Sequence, residues 1–515
     1  MSATATETTV TLPRDSNQAL GIGTFACDWF AGKIGTPDDC VKHRTVQFFV
    51  DSVLCGASAL ALQTNAPTVL RNEALDHAHA GGATCFGSTT SVHPEKAILA
   101  NASAVREWDS NGTNFGYNPR LGHTAGEFGH NDFYAVPLAA AQVGGLDGAA
   151  ALSGMMLLDE IRGRLAEVFS LKTYKIDHVV HGAIASAATW GAMLDATPEQ
   201  IESAIGMMVA HYIPWRAIRA GKQLSDSKGA SAAMSTEVAV LSMQRSMRGF
   251  IGPRDIFRNP EAIWRQFEPT DGDESPFDLV LSHGGDDFAV MGMHFKLGLY
   301  EHQSAGALQG LIDLLRNNPD VLADPSAIKS IKIVAYEPAF GIIGDPAKRD
   351  PKTRQSADHS MVYIVSTMLR KAIEQVPSGG NDDWWKALML MPVDYGRDAI
   401  VDAHTRALMQ LIEFEHGGTE YDERYPDGIP TSVVVTLTDG RRFDSGLVMY
   451  PSGHARNTTA DLERILAHKA SLMAAIAMDG DADAVIDAFR RIGSLDSAGV
   501  ASLMDFTIAT RDSID

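Results

Sequence analysis

Cysteine is scarce. Cys27, Cys40, Cys55 and Cys85 are all there are in 515 residues, and no two form a CxxC pair. That is too few for a disulfide scaffold and the wrong spacing for a thiolate metal cluster, so free thiols in a reducing cytoplasm are expected. Positive charge is also short: 43 Lys and Arg face 64 Asp and Glu, a formal net charge of −21. Nucleic acid and anionic membranes are therefore poor general partners, and an anionic small molecule would need a locally basic site. Charged residues or glycine break every apolar run well short of a bilayer span. The first residues, MSATATETTVTLPRDSNQ, lack the apolar core of a secretion signal and carry Arg14 as their one basic residue. They read as a short lead on a cytoplasmic protein. There is no GxxxxGK[ST], strand-linked GxGxxG, HExxH or GxSxG, which removes the usual warrant for nucleotide, dinucleotide, zincin or α/β-hydrolase chemistry.

What is present is helical text first. Val46, Phe49, Val50, Val53 and Leu54 fall at i, i+3, i+4, i+7 and i+8, one buried stripe. Thr197-Pro-Glu-Gln200 carries the N-cap, Pro and Gln of a helix start. Stretches such as Ala183–Ala192 are rich in small residues, which let helices approach closely. Near residue 290 the pattern changes. Leu308, Leu311, Ile312 and Leu315 mark an amphipathic helix, and Ile331, Ile333 and Ala335 alternate like a half-buried strand. Val433–Thr438 and Arg441–Tyr450 flank Asp439-Gly440, a hairpin signal, and a helix is expected over 359–373. After Arg456 the text is helical again. The expected fold is mainly α: a helical domain from residues 1–290 and 456–515, with a smaller α+β lid domain over 291–455.

Several polar clusters could carry chemistry. Asp109 and Thr113, four apart in WDSNGT, could face one another, with His130 of Gly-His-Asn-Asp nearby; carboxylate, hydroxyl and imidazole suit proton transfer. The competing reading makes Asp109 a helix cap and His130 a core residue. Arg216, Arg219, Lys222 and Lys228 put four cations within thirteen residues and could cradle carboxylates, or form a solvated helix face. His178 and His181 lack a third ligand in register and make a weak metal site. Lys296, His302, His359 and His454 would line a cleft if the insert closes over the helices.

These residues, and the segments that carry them, resemble the MmgE/PrpD family of 2-methylcitrate dehydratases, cis-aconitate decarboxylases and related enzymes. The likeness runs from about Phe48 to His468. VQFFVDSVLCGASAL, EKAILANASAVREWDSNGT, EFGHND, IDHVVHGAIASAA, WRAIRAGKQLSDSKGA, HFKLGLYEHQSA, PKTRQSADHSMVYIVS and LTDGRRFDSGLVMYPSGHARN follow in the family's order. The resemblance implies a cytoplasmic homodimer, an active site between helical domain and lid, and a tricarboxylate substrate taken without metal or other cofactor. It implies Asp109, His130, Lys228 and Thr113 as catalytic residues and Lys296, His178, His302, His359 and His454 as substrate-binding ones; Arg216 of the basic cluster is expected to join Lys228 and Lys296 in a clamp on the substrate carboxylates. His123 competes with His130, because the spacer after Thr113 is long. The stretches RQSADHS and WRAIR look more like the dehydratases, so dehydration of a 2-hydroxy tricarboxylate is expected, 2-methylcitrate to 2-methyl-cis-aconitate foremost and citrate as well. The alternatives are a cis-aconitate decarboxylase and a non-catalytic tricarboxylate-binding protein, which would need the cations but not the proton-handling pair.

Overall fold

A computed structural model describes residues 8–126, 132–219 and 223–514, with the backbone alone at 129 and 130. Helices make up 55% of the chain, which confirms the mainly α expectation. Nine helices lead: α1 (Gln18–Phe30), α2 (Asp39–Ala61), α3 (Asn65–Leu75), α4 (Pro94–Glu107), α5 (Ala135–Gly144), α6 (Gly148–Val168), α7 (Val179–Met193), α8 (Pro198–His211) and α9 (Ser227–Met247). The predicted stripe lies in α2, where Phe49, Val50, Val53 and Leu54 are buried. The capping box at Thr197 is formed, with Gln200 answering the cap residue.

α4 packs on α2 and α9, and α7 on α6 and α9. Small residues permit this closeness. A Cβ at Gly182 in α7 would stand 2.0 Å from the Phe133 ring, and one at Gly206 in α8 would stand 1.8 Å from the Pro253 carbonyl oxygen. Neither position can hold a side chain without moving its neighbour. No single helix among the described residues is long and apolar enough to cross a membrane.

The later segment holds α10 (Ala305–Asn317), α11 (Met361–Gln375) and a four-stranded sheet. β1 (Ile328–Ala335) pairs in parallel with β2 (Ile412–His416) and antiparallel with β3 (Thr431–Leu437), which pairs antiparallel with β4 (Arg442–Asp444). Ile331, Ile333 and Ala335 are buried, as their alternation requires. The hairpin forms at Asp439-Gly440, but its second strand is shorter than expected. Gly446 turns the chain at φ +70°, and Ser445 Oγ accepts the Val433 N–H at 2.9 Å, closing the ladder after Asp444. α12 (Leu462–Ala477) follows, with Asp461 as its cap, and packs along α2; α13 (Ala482–Arg490) is capped by Asp481 of the DGDADA stretch.

Candidate active site

Asp109 sits two residues beyond the end of α4, and Lys228 sits in the first turn of α9. Each charge stands at the helix end that disfavours it, since a helix C-terminus repels anions and an N-terminus repels cations. They compensate one another: Lys228 Nζ lies 3.4 Å from Asp109 Oδ2. The cap reading of Asp109 therefore fails. Trp108 turns the chain inward, its indole donating to Ser58 Oγ at 2.9 Å, and Arg354 stacks over the same ring at 4.8 Å while pairing with Glu107.

Asp109 is the hub of a buried charge cluster. Lys296 donates to its Oδ1, Arg106 Nη1 is 3.5 Å from that oxygen, and His359 Nε2 is 3.2 Å from Oδ2. Lys228 also reaches Asp358 Oδ1 at 3.2 Å, and His359 Nδ1 meets the same oxygen at 2.6 Å. Burial pushes the Asp109 carboxyl up. Lys296, Arg106, Lys228 and His359 more than offset this and hold it well below the usual carboxylate range. Asp358 is lowered in the same manner by Lys228 and His359 against its burial. Burial and the Lys228 charge bring the His359 imidazole down to about 4, despite Asp109 and Asp358. It is neutral at pH 7, with Nδ1–H given to Asp358 and a lone pair on Nε2.

The lysine behind Asp109 is itself braced. Lys469 of α12 donates to the carbonyls of Ser110 at 2.6 Å and Lys296 at 2.9 Å, and pairs with Asp51 of α2 at 2.7 Å. This buried pair ties both chain segments of the cluster to the two helices that cross beneath them.

A narrow cavity opens over the hub. Among the described residues, Arg106, Arg216, Arg219, Lys228 and Lys348 line it against two carboxylates, Asp109 and Glu301, beside His178, His359, Gln303, Leu224 and Ile342. In a chain of net charge −21 this is a locally basic pocket. Asp177 accepts from Arg219 Nε at 2.5 Å and lies 3.3 Å from His178 Nδ1. Burial lowers His178 well below the usual imidazole range, so it too is neutral.

Asp109, Lys228, Lys296, Arg216, His178 and His359 thus meet at or beside one cavity. Others of the expected set do not. Thr113 is buried with its backbone bridged to His294, and its hydroxyl has no hydrogen-bond partner among the described residues, so it does not hold Asp109. His302 and His454 lie in a separate stack: the His294 ring is 5.2 Å from His302 and 4.0 Å from His454. Neither lines the cavity, and His454 lines a different one beside Arg456. His123 lies 3.5 Å from Glu167. The side chain of His130 and the whole of Lys222 fall outside the described residues. Arg106, Glu301, Gln303 and Lys348 were missed. Arg106 shares Asp109's turn of sequence and could have been found; the others reach the cavity through tertiary contact alone.

Asp109, Asp358 and His359 offer ligand atoms within 4.8 Å of one another, a spacing that could hold a metal ion. The Lys228 ammonium already stands within 3.4 Å of both carboxylates, where a bound cation would have to displace it.

The sequence is similar to that of known proteins. The family model for the MmgE/PrpD N-terminal domain matches residues 28–274. This match covers a little under half of the chain. A protein named 2-methylcitrate dehydratase from Escherichia coli O157:H7 is 24% identical over 320 residues, 61% of each chain. A Salmonella typhi protein of the same name is 23% identical over 398 residues, 75% of this chain and 76% of its own. A Yarrowia lipolytica protein named 2-methylcitrate dehydratase, mitochondrial, is 26% identical over 329 residues, 62% of this chain and 58% of its own. The chain spans about three fifths of the length of the Escherichia coli relative it matches.

Proposed function

We propose that the protein is a hydro-lyase that dehydrates a 2-hydroxy tricarboxylate, 2-methylcitrate before citrate, and needs no metal or other cofactor. The observation that carries this reading is the basic cavity built over the Asp109, Lys228 and Lys296 cluster. Three carboxylates need several cations, and a cavity with five lining cations and two lining carboxylates supplies them. Leu224 and Ile342 give it an apolar wall where the substrate methyl group fits. The family match and the names of the relatives support the same chemistry.

Dehydration removes a weakly acidic proton beside a carboxylate and expels hydroxide from the next carbon. Lys228 and Lys296, with Arg216, hold the carboxylate on which charge builds. Asp109 is too firmly ionised to be an effective base. It fixes the two lysines instead. The neutral His359, held by Asp358 through Nδ1–H, presents Nε2 as the base. The segment 291–455 acts as a lid over the helices, and the protein works as a cytoplasmic homodimer.

The test is to mix purified protein with 2-methylcitrate, citrate and cis-aconitate. Ultraviolet absorbance reports the conjugated alkene, and carbon dioxide release reports decarboxylation. Alkene from 2-methylcitrate is expected. Carbon dioxide from cis-aconitate without alkene from 2-methylcitrate would make it a decarboxylase, and binding without turnover a carrier.

A further inference from the structure

Glu301 lies in the turn just before α10, and its surroundings place it in the chemistry. Its backbone N–H donates to the Asp358 carbonyl at 2.9 Å, while the N–H of Tyr300 donates to the Asp109 carbonyl at 3.0 Å. The turn is therefore pinned between the two acidic residues of the cluster. Glu301 Oε2 accepts the Gln303 N–H at 2.8 Å. Oε1 has no hydrogen-bond or ion-pair partner among the described residues, and the residue lines the cavity together with Asp109, Lys228 and His359. A second carboxyl group is thus held rigidly at the cavity wall with one oxygen open to whatever binds there.

Its charge environment is the reverse of Asp109's. No cation among the described residues makes an ion pair with it. The groups that face it are Asp109 from the turn after α4, Lys296 from the preceding loop, Lys348 from the loop after β1, and Tyr336 at the end of β1. Burial and the Asp109 charge push its carboxyl up; Lys296, the Gln303 N–H and Lys348 recover only part, and it stands at about 7. A large share of Glu301 is therefore protonated at neutral pH, when Asp109 is ionised.

We propose that Glu301 is a further catalytic residue, the general acid that protonates the departing hydroxyl group. This role rests on the dehydration reading. His359 Nε2 takes the proton from the carbon beside the carboxylate, and that C–H electron pair becomes the second bond of the alkene. The neighbouring C–O bond breaks with its pair on oxygen. The Glu301 proton passes to that oxygen, and water departs. Glu301 is left as carboxylate and His359 as imidazolium; transfer of one proton from the second to the first through solvent restores both. Two titrating groups with separated affinities for protons are the arrangement such paired acid and base work requires.

The sign of the pH dependence follows. Only protonated Glu301 can act as the acid, so kcat/KM falls as pH rises through about 7. A bound tricarboxylate adds negative charge nearby, so the corresponding fall in kcat lies at higher pH. Glu301→Gln keeps an acceptor for the Gln303 N–H but has no proton to give. With 2-methylcitrate, kcat should drop about 10²- to 10⁴-fold with KM little changed, and the alkaline fall in kcat/KM should vanish. Glu301→Asp should recover part of kcat and keep an alkaline limb, moved in pH. A second readout needs no turnover. In wild type the folded state resists ionising Glu301, so stability is lost as pH rises from about 4.5 to about 7. The melting temperature of Glu301→Gln should therefore gain on wild type over that interval and not beyond it. A wild type that turns over 2-methylcitrate beside a Gln variant with unchanged kcat, or with its alkaline limb intact, overturns this role alone. A wild type that turns over no tricarboxylate overturns the dehydration reading and this role with it.

Discussion

Asp109 and Glu301 are two carboxyl groups on one cavity, carried by two turns that hydrogen-bond to one another's neighbourhood, yet they behave as different chemical species. Asp109 follows α4 and gathers Lys296, Arg106, Lys228 and His359 around itself. Glu301 precedes α10, has no ion-pair partner among the described residues, and feels the Asp109 charge as repulsion. The same side-chain chemistry gives a permanent anion in one turn and a titrating acid in the other. What differs is how many cations each turn can reach. The first turn organises the lysines that grip carboxylates, and the second is free to move a proton.

The largest effect should come from breaking the ionised turn. Asp109→Asn leaves three buried cations short of a counter-charge, and removing one partner of such a cluster costs about 3–5 kcal/mol of stability. Urea unfolding at neutral pH should show a loss of that size, and displacement of the lysines should lower activity by about 10²-fold or more. Because Asp109 titrates below the ordinary range, the stabilisation it gives is complete at neutral pH and fades only as pH falls below about 4. The stability gap between variant and wild type should narrow there. Equal stability at pH 7 would mean the cations do not depend on Asp109.

An intermediate effect should follow from Lys228→Met, which keeps the stem and deletes one charge-assisted contact of roughly 1.5–3 kcal/mol. Affinity for the tricarboxylate, measured calorimetrically with a non-reacting analogue, should weaken about ten- to a hundredfold. Lys352→Met, at an exposed lysine, is the control and should bind almost normally; equal losses in the two would point to a general field and not a clamp. The smallest effect belongs to the apolar wall. Ile342→Ala should shrink the preference for 2-methylcitrate over citrate by about four- to tenfold, read as a ratio of kcat/KM values. An unchanged ratio would remove Ile342 from contact with the methyl group.

Much of this was written locally in the sequence. The α2 stripe, the Thr197 box, the β1 alternation and the Asp439-Gly440 turn each depend on neighbours a few residues apart, and each formed. Asp109, Lys228 and Lys296 were legible through the family resemblance of their segments, since spacing alone left Asp109 readable as a helix cap. Glu301 and Lys348 did not stand out, since nothing beside them in sequence distinguishes a cavity-facing acid from a turn cap. Glu301 is both. His302 and His454 were expected at the cleft but stack on His294 instead, and the His454 contact joins segments more than a hundred residues apart. The short β4 likewise follows from the Ser445 side chain reaching back to Val433.

At the centre of the account stands an Asp109 cluster whose positive charge comes from lysine, with the Lys228 ammonium in the place between Asp109 and Asp358 that a metal ion would claim. The most direct test is the rate of alkene formation from 2-methylcitrate by protein dialysed extensively against a strong chelator. Turnover equal to that of untreated protein, and unchanged on adding divalent ions or iron, is the predicted result. Turnover abolished by the chelator and restored by a metal ion would contradict it.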